Sequence, residues 1–254
     1  VGYPDRLRLL QAAGLADRVF GLDTWIHHPE KVFSSLEAGY SEAIRIDSFF
    51  PEGPVHHSPS PGFETHSHPP LPDPSTGLSV ADYFAACLEV VNPSESDAPL
   101  GRLQPTGLQR PPVLWVHPGA GGSVKQWPME NFVEVASRVR EEGGLEARWL
   151  LGEAELEMLQ RLRESGIEPR VSPDLVEWAQ GTSGDDYYLG NDSGPTHLAG
   201  LLGLRTLAIF GPEGDETRWR PWGRQAKVVC ADKDGKWPTV EEVVARLIQA
   251  PVWD

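Results

Sequence analysis

The stretch "DDYYLGNDSGPTHLAGLLGLRTLAIFG", Asp185–Gly211, holds a strand, a helix and a second strand in direct succession. "DDYYLG" is short, largely apolar and closed by glycine, "GPTHLAGLLG" spaces small and apolar residues at a helical period, and "RTLAIFG" is a second apolar run. Strands joined through a helix of that length imply a right-handed crossover and parallel pairing. Where the first strand gives way to the helix, "NDSGPTH" gathers small and polar residues. Asp192 or Ser193 can cap the helix by accepting an amide hydrogen bond, Pro195 lacks the N–H that would be orphaned there, and Gly194 lets backbone come close to a ligand. The first-turn amides and the positive end of the helix dipole make a generic phosphate site, with His197 within reach. Taken alone, the stretch reads equally well as a capped turn with a packed histidine.

The same alternation extends in both directions. Upstream stand a strand "VLWVHPG", a helix "WPMENFVEVASRVREEGG", a strand "LEARWLLG", a helix "EAELEMLQRLRESG", a short segment near Glu168–Ser172, and a helix "SPDLVEWAQ" with Ser172 as cap and Pro173 in the first turn. Downstream lie a strand "QAKVVC" and a closing helix "TVEEVVARLIQA". This pattern predicts an α/β fold with a parallel sheet covered on both faces, whose ligands sit at the carboxyl ends of the strands. Trp115, Trp149 and Trp178 fall on these elements and are expected in the core.

Three further strand ends bear on that edge. In "HPGAGGSVKQWP", His117–Pro128, a glycine-rich loop is followed by a lysine. It has neither the GK[ST] ending of a P-loop nor the GxGxxG spacing, so Lys125 reads as a point charge for phosphate or as a solvated residue beside a buried Trp127. "WLLGEAELE" places Glu153, Glu155 and Glu157 after a strand, where a carboxylate suits either ribose hydroxyls or a helix's first turn. "FGPEGDETRWRPWG", Phe210–Gly223, is a turn-rich loop with Arg218, Trp219 and Trp222, fit to line a cleft or to pack.

In order and spacing, "HPGAGGSVKQWP", "LLGEAELE", "NDSGPTHLAGLLGL" and "LAIFGPEGDETRWRPWG" resemble glycosyltransferase family 9, the heptosyltransferases of lipopolysaccharide synthesis. The resemblance runs from Val113 to about Gly223. It implies a GT-B-like architecture, with a Rossmann-type domain over residues 113–254 holding the donor nucleotide sugar and a partial acceptor-side domain over 1–98. A proline-rich loop is expected at 51–77 and a linker at 99–112. Carried over residue by residue, Lys125 is the lysine near the donor phosphate, and Asp192, Ser193, Gly194, Pro195, Thr196 and His197 form the turn around it. Glu155, or less directly Glu157, is the acid on the ribose. Ala120 and Gly121 stand where hydroxyl residues are common, so backbone amides about Gly121 and Gly122 take their place.

The resemblance implies metal-independent inversion, with ADP-heptose as the expected donor, a lipopolysaccharide-type glycan or glycolipid as acceptor and no resident cofactor. The family's aspartate base lies in a "GD" segment with no counterpart here; the chain follows the family from the end of its second strand onward. The base is therefore expected in a missing N-terminal segment, and normal turnover by this chain is not expected. A nucleotide-sugar-binding protein without catalysis, and a nucleotide-sugar epimerase, are the alternatives.

Composition narrows the partners. The formal charge is −15, and 22 Lys and Arg are spread along 254 residues, which disfavours nucleic acid and leaves at most peripheral membrane association. Cys87 and Cys230 are the two cysteines, far apart and outside any CxxC pattern, consistent with a reducing cytoplasm. No apolar run approaches the roughly 20 residues of a membrane span. His56, His57, His66 and His68 cluster among prolines without neighbouring cysteines, and the expectation is a surface loop rather than a metal site.

Overall fold

The computed structural model describes residues 11–12, 44–48, 63–87, 110–152, 155–171 and 174–248. The chain divides into two compact units, Val1–Pro93 and Ser94–Asp254. The first contains a parallel pair, β1 (Ile44–Ser48) and β2 (Phe63–Ser67), with Asp47 opposite His66. β2 corrects the expectation of a continuous loop over 51–77. Its five residues "FETHS" hold no proline, and the nearest prolines, Pro61 and Pro69, lie outside the strand where no ladder N–H is lost. Helix α1 (Val80–Cys87) opens on a reciprocal cap: the Ser79 hydroxyl accepts the Asp82 N–H at 3.1 Å and donates to the Asp82 carboxylate at 2.6 Å.

The second unit is a six-stranded parallel sheet of β3 (Val113–His117), β4 (Glu146–Leu151), β5 (Arg170–Val171), β6 (Tyr187–Asn191), β7 (Arg205–Phe210) and β8 (Ala226–Cys230). Their spatial order is β5-β4-β3-β6-β7-β8, the order of dinucleotide-binding sheets. The chain winds outward from β3 through β4 to β5, then returns to the other side of β3 and winds outward again. The reversal leaves a crevice between the carboxyl ends of β3 and β6, where no crossover covers the edge.

The central strands β3, β6 and β7 are buried on both faces, as parallel strands are when crossover helices cover them. On one face Leu114, Val116, Trp149, Leu151, Leu189, Leu207 and Ile209 pack with α2 (Met129–Gly143) and α7 (Val240–Ile248). α2 contributes Phe132, Val135 and Val139 at helical spacing, and α7 contributes Val240, Val243, Val244 and Leu247. On the other, Trp115 meets Trp178 of α4 (Leu175–Gln180) edge-on at 6.1 Å, and Trp178 meets Tyr188 at 5.8 Å. Trp115, Trp149 and Trp178 are thus core residues. The cap of α4 is Asp174, whose carboxylate accepts the Val176 and Glu177 amides. That places the helix start after Ser172 and Pro173, the expected cap and first-turn residues, which lie outside the described residues.

At the opposite edge of the sheet a single carboxylate gathers the strands. Asp186, fully buried, accepts both arms of Arg110 at 2.7 and 2.5 Å, the Val113 and Ser183 amides at 3.0 Å each, and the Trp115 indole at 3.0 Å. Burial pushes this carboxyl up; the guanidinium and the three N–H donors outweigh it and hold the group below the usual carboxylate range. Its contribution to stability is therefore full above the unfolded carboxylate value and falls away as pH drops through the lower folded value. Asp186→Ala would leave Arg110 facing a buried gap, and is expected to cost about 3–5 kcal/mol of stability. Urea unfolding at neutral pH measures it; a loss below about 1 kcal/mol, in the range of an exposed pair, would rule out this role.

Candidate functional site

The loops at the reversal are joined by one amide. Asn191 ends β6 with no exposed surface; its Nδ2 donates to Pro118 O at 2.8 Å and its Oδ1 accepts the Trp127 N–H at 3.0 Å. The glycine-rich loop after β3 is thereby tied at both ends to the turn after β6. The Trp127 ring is buried, donates to Pro238 O at 3.0 Å and meets Phe132 edge-on at 5.0 Å.

Between these anchors, Ser123–Lys125 form a single 3-10 turn with Gly122 at its start. Lys125 Nζ stands 2.6 Å from Asp192 Oδ2, and His197 Nε2 lies 3.8 Å from Asp192 Oδ1. The lysine is therefore neither simply solvated nor parked on Trp127. Burial raises the Asp192 carboxyl, but His197 and Lys125 together lower it further, so it titrates below the usual range. Gly121 and Gly122 have open space where a Cβ would stand, so their backbone is accessible to a ligand.

Helix α5 (Gly194–Leu201) begins at this turn with Pro195 in its first turn and Ser193 at the cap position. Neither Asp192 nor Ser193 caps it through its side chain. Asp192 is taken by Lys125, and the Ser193 hydroxyl lies 3.0 Å from Thr196 Oγ1, which itself donates to Asn191 O at 2.6 Å. The amides of Thr196 and His197 both go to Ser193 O, and Pro195 has none, which leaves the Gly194 N–H as the first-turn donor for an anion. Gly190 makes this packing possible. A Cβ there would stand 2.9 Å from Thr196 Oγ1 and 3.0 Å from His117 O.

Glu155 reaches the same edge by folding back. Its Oε2 accepts the Gly152 N–H at 2.7 Å, and its carboxylate lies so close to Gly119 that a Cβ there would overlap it. It precedes α3 (Leu156–Glu164), whereas Glu157 is exposed on that helix. His117, beneath the loop, holds Leu150 O at 2.9 Å through Nδ1; burial keeps the imidazole's pKa below its ordinary value, against the pull of that carbonyl and of Glu155. The structure thus brings Lys125, Gly121, Gly122, Glu155, Asp192, Ser193, Gly194, Pro195, Thr196 and His197 to one edge.

The sequence reading assigns no role to Asn191 or Gly119. Their signal is a small or amide residue at a strand's carboxyl end, which has meaning only once the strand order is known.

Residues 71–246 match the family model described as glycosyltransferase family 9 (heptosyltransferase). The chain belongs to this family. Among curated glycosyltransferases, lipooligosaccharide heptosyltransferase 2 of Campylobacter jejuni is 32% identical over 129 residues, covering 47% of this chain and 40% of that protein. Its counterpart in a second C. jejuni strain matches to the same extent, so the matched stretch is about two fifths of these relatives' length. The crystal structure of a glycosyl transferase family 9 protein from Veillonella parvula aligns with a TM-score of 0.68 at 18% identity, over 95% of this chain and 86% of that one. The family 9 protein from V. parvula thus shares this chain's α/β, GT-B-like fold.

Of the histidines outside this edge, His56 and His57 lie outside the described residues. His68 Nε2 is 2.8 Å from Asp47 Oδ1, and its ring stacks with His66 at 6.4 Å. Among the described residues no three His, Cys, Asp or Glu side chains are placed to hold a metal ion. None of their helices is long and apolar enough to cross a membrane.

The Lys125–Asp192 pair is open to a direct test. In Lys125→Met, which removes the ammonium and keeps the stem, the Asp192 carboxyl followed by carbon-13 NMR is expected to titrate at higher pH than in the parent. An unchanged midpoint would show that the pair does not form in solution.

Proposed function

We propose that the protein is a glycosyltransferase that moves a sugar from a nucleoside-diphosphate donor to a glycan or glycolipid acceptor of the lipopolysaccharide type, with ADP-heptose as its donor. The observation that carries this reading is the lysine held by Asp192 at the opening of α5, in the crevice where the strand order reverses. A cation, an unengaged Gly194 amide and a helix amino end converge there, and together they suit a diphosphate. Membership of family 9 supports the class of reaction.

In this reading the acceptor hydroxyl, its proton passing to the aspartate base that the family resemblance implies, attacks the anomeric carbon from the face opposite the diphosphate, and inversion follows. The bond between that carbon and the diphosphate oxygen breaks, and its electron pair leaves with the nucleoside diphosphate. Lys125, still beside Asp192, leans toward the departing oxygens, and the α5 terminus stabilises the same charge without rearranging. Asp192 then stays beside the ammonium, so the site gains an anion without expelling the one it holds. Glu155, fixed by Gly152 and Gly119, accepts from ribose hydroxyls. The protein's own cation and amide dipoles answer the leaving group's charge, so the reaction is metal-independent and needs no cofactor. The site acts in the cytoplasm, where nucleotide sugars are made.

Calorimetric titration of ADP, ADP-heptose, UDP-glucose and GDP-mannose into the 254-residue chain tests this. ADP-heptose is expected to bind best, with affinity unchanged by EDTA. Lys125→Ala is expected to weaken it about ten- to a hundredfold, the worth of one charge-assisted contact. His197→Ala is expected to weaken it by a smaller factor. Gly119→Ala and Glu155→Gln should weaken it to similar extents, since both remove the same carboxylate from its place. Binding of none of these ligands, or Lys125→Ala and His197→Ala both silent, would sink the reading.

A further inference from the structure

Strand order fixes the sequence of functional groups along the sheet edge. Glu155 follows β4, Lys125 follows β3, Asp192 to His197 follow β6, and Trp219 follows β7, which are four neighbouring strands. At about 4.8 Å per strand these ends span about 14 Å. A ribose at Glu155 and a diphosphate at Lys125 and Gly194 use three of the four, and the direction of the row carries whatever is bonded to the second phosphate toward β7.

The loop after β7 is built to hold a side chain there. Gly211 packs so tightly on the Trp237 ring, and Gly200 of α5 so tightly on the Trp222 carbonyl, that a Cβ at either would overlap its neighbour. Gly223, at φ 135°, closes the loop against the Gly200 carbonyl from the other side. Within it, helix α6 (Glu216–Trp219) starts at Asp215, whose carboxylate accepts the Arg218 amide at 3.0 Å. Trp219, at its end, is half-buried, with Lys125 Nζ 6.0 Å from its ring centre and Arg218 Cζ at 5.8 Å. The Nε of Arg218 is buried with no hydrogen-bond partner. A ring beside the phosphate lysine, on a loop locked to α5, borders the end of the row.

We propose that Trp219 is the wall of the donor-sugar subsite: its indole packs against the transferred sugar beside the diphosphate held by Lys125. The proposal rests on the donor reading above. An aromatic wall recognises a pyranose by covering its C–H face and excluding water, a contact that a free nucleoside diphosphate cannot make.

The test compares ligand pairs that differ in the sugar alone, ADP with ADP-heptose, UDP with UDP-glucose and GDP with GDP-mannose, titrated into the full chain and into Trp219→Ala and Trp219→Phe. For the pair the parent binds best, Trp219→Ala is expected to weaken the sugar nucleotide about tenfold and the free diphosphate less than about twofold, with Trp219→Phe retaining most of the sugar's share. Equal losses for both members, or no loss for either, would overturn the proposal while leaving the donor reading intact. A parent that binds the sugar nucleotide no tighter than the diphosphate would also overturn it. A parent that binds no member of any pair would overturn both.

Discussion

Everything at the candidate site depends on two hydrogen bonds from one buried amide. Asn191 donates to Pro118 O and accepts from the Trp127 N–H, and so ties the start and the end of the loop that carries Lys125 to the turn that opens α5. Asparagine suits this place because it carries a donor and an acceptor on one short planar group; an aspartate would offer no donor to Pro118, and a leucine would leave both backbone groups unmet. Such bonds cost little to keep and much to lose around a side chain with no exposed surface. The bridge also explains why this loop, rich in glycine, holds a defined position. Gly119, Gly121 and Gly122 give it freedom, and its two ends take that freedom away.

The reversal of strand order gives the bridge its importance. Adjacent strands elsewhere in the sheet are joined in sequence by a helix that also covers their edge. β3 and β6 are neighbours in space separated by some seventy residues of chain, a separation set by the three crossovers between them, so side chains must supply the local link. Asp186 does this at the other edge, collecting Arg110, Val113 and Trp115 from the β3 side. The two residues sit at opposite ends of the same strand pair. Asp186 is charged and paired with a guanidinium, suited to stability alone, whereas Asn191 is neutral and leaves the electrostatic field of the crevice to Lys125, Asp192 and the helix terminus.

Much of this was legible in the sequence, for reasons that differ between elements. The alternation of strand and helix from Val113 onward is a matter of local periodicity, and the fold follows it. The site residues after β3, β4 and β6 were legible because carboxyl ends of parallel strands share one edge whatever their order. What lay beyond local pattern was partnership. Asp192 looked like a cap, yet its charge is drawn to a lysine 67 positions earlier, and Ser193 turns inward to Thr196. Gly119, one glycine of a glycine-rich loop in the sequence, leaves the space that Glu155 occupies. The strand in the proline-rich stretch was missed because proline density was weighed over the whole segment, whereas five proline-free residues suffice for a parallel pair.

On the proposed donor reading, the Lys125–Asp192 pair accounts for anion binding in a chain with fifteen excess negative charges. Long-range repulsion of a diphosphate by that net charge is screened within about 10 Å at ordinary ionic strength, so the local field decides. In that field the lysine is already neutralised by Asp192, and it is the helix terminus and the unengaged Gly194 amide that present uncompensated positive potential. In that reading an incoming diphosphate does two things at once: it occupies the amide and draws Lys125 partway from its carboxylate. The energy of recognition is a difference between two paired states rather than the capture of a bare cation. The donor reading therefore implies moderated binding and a diphosphate free to leave, because Asp192 stands ready to take the lysine back.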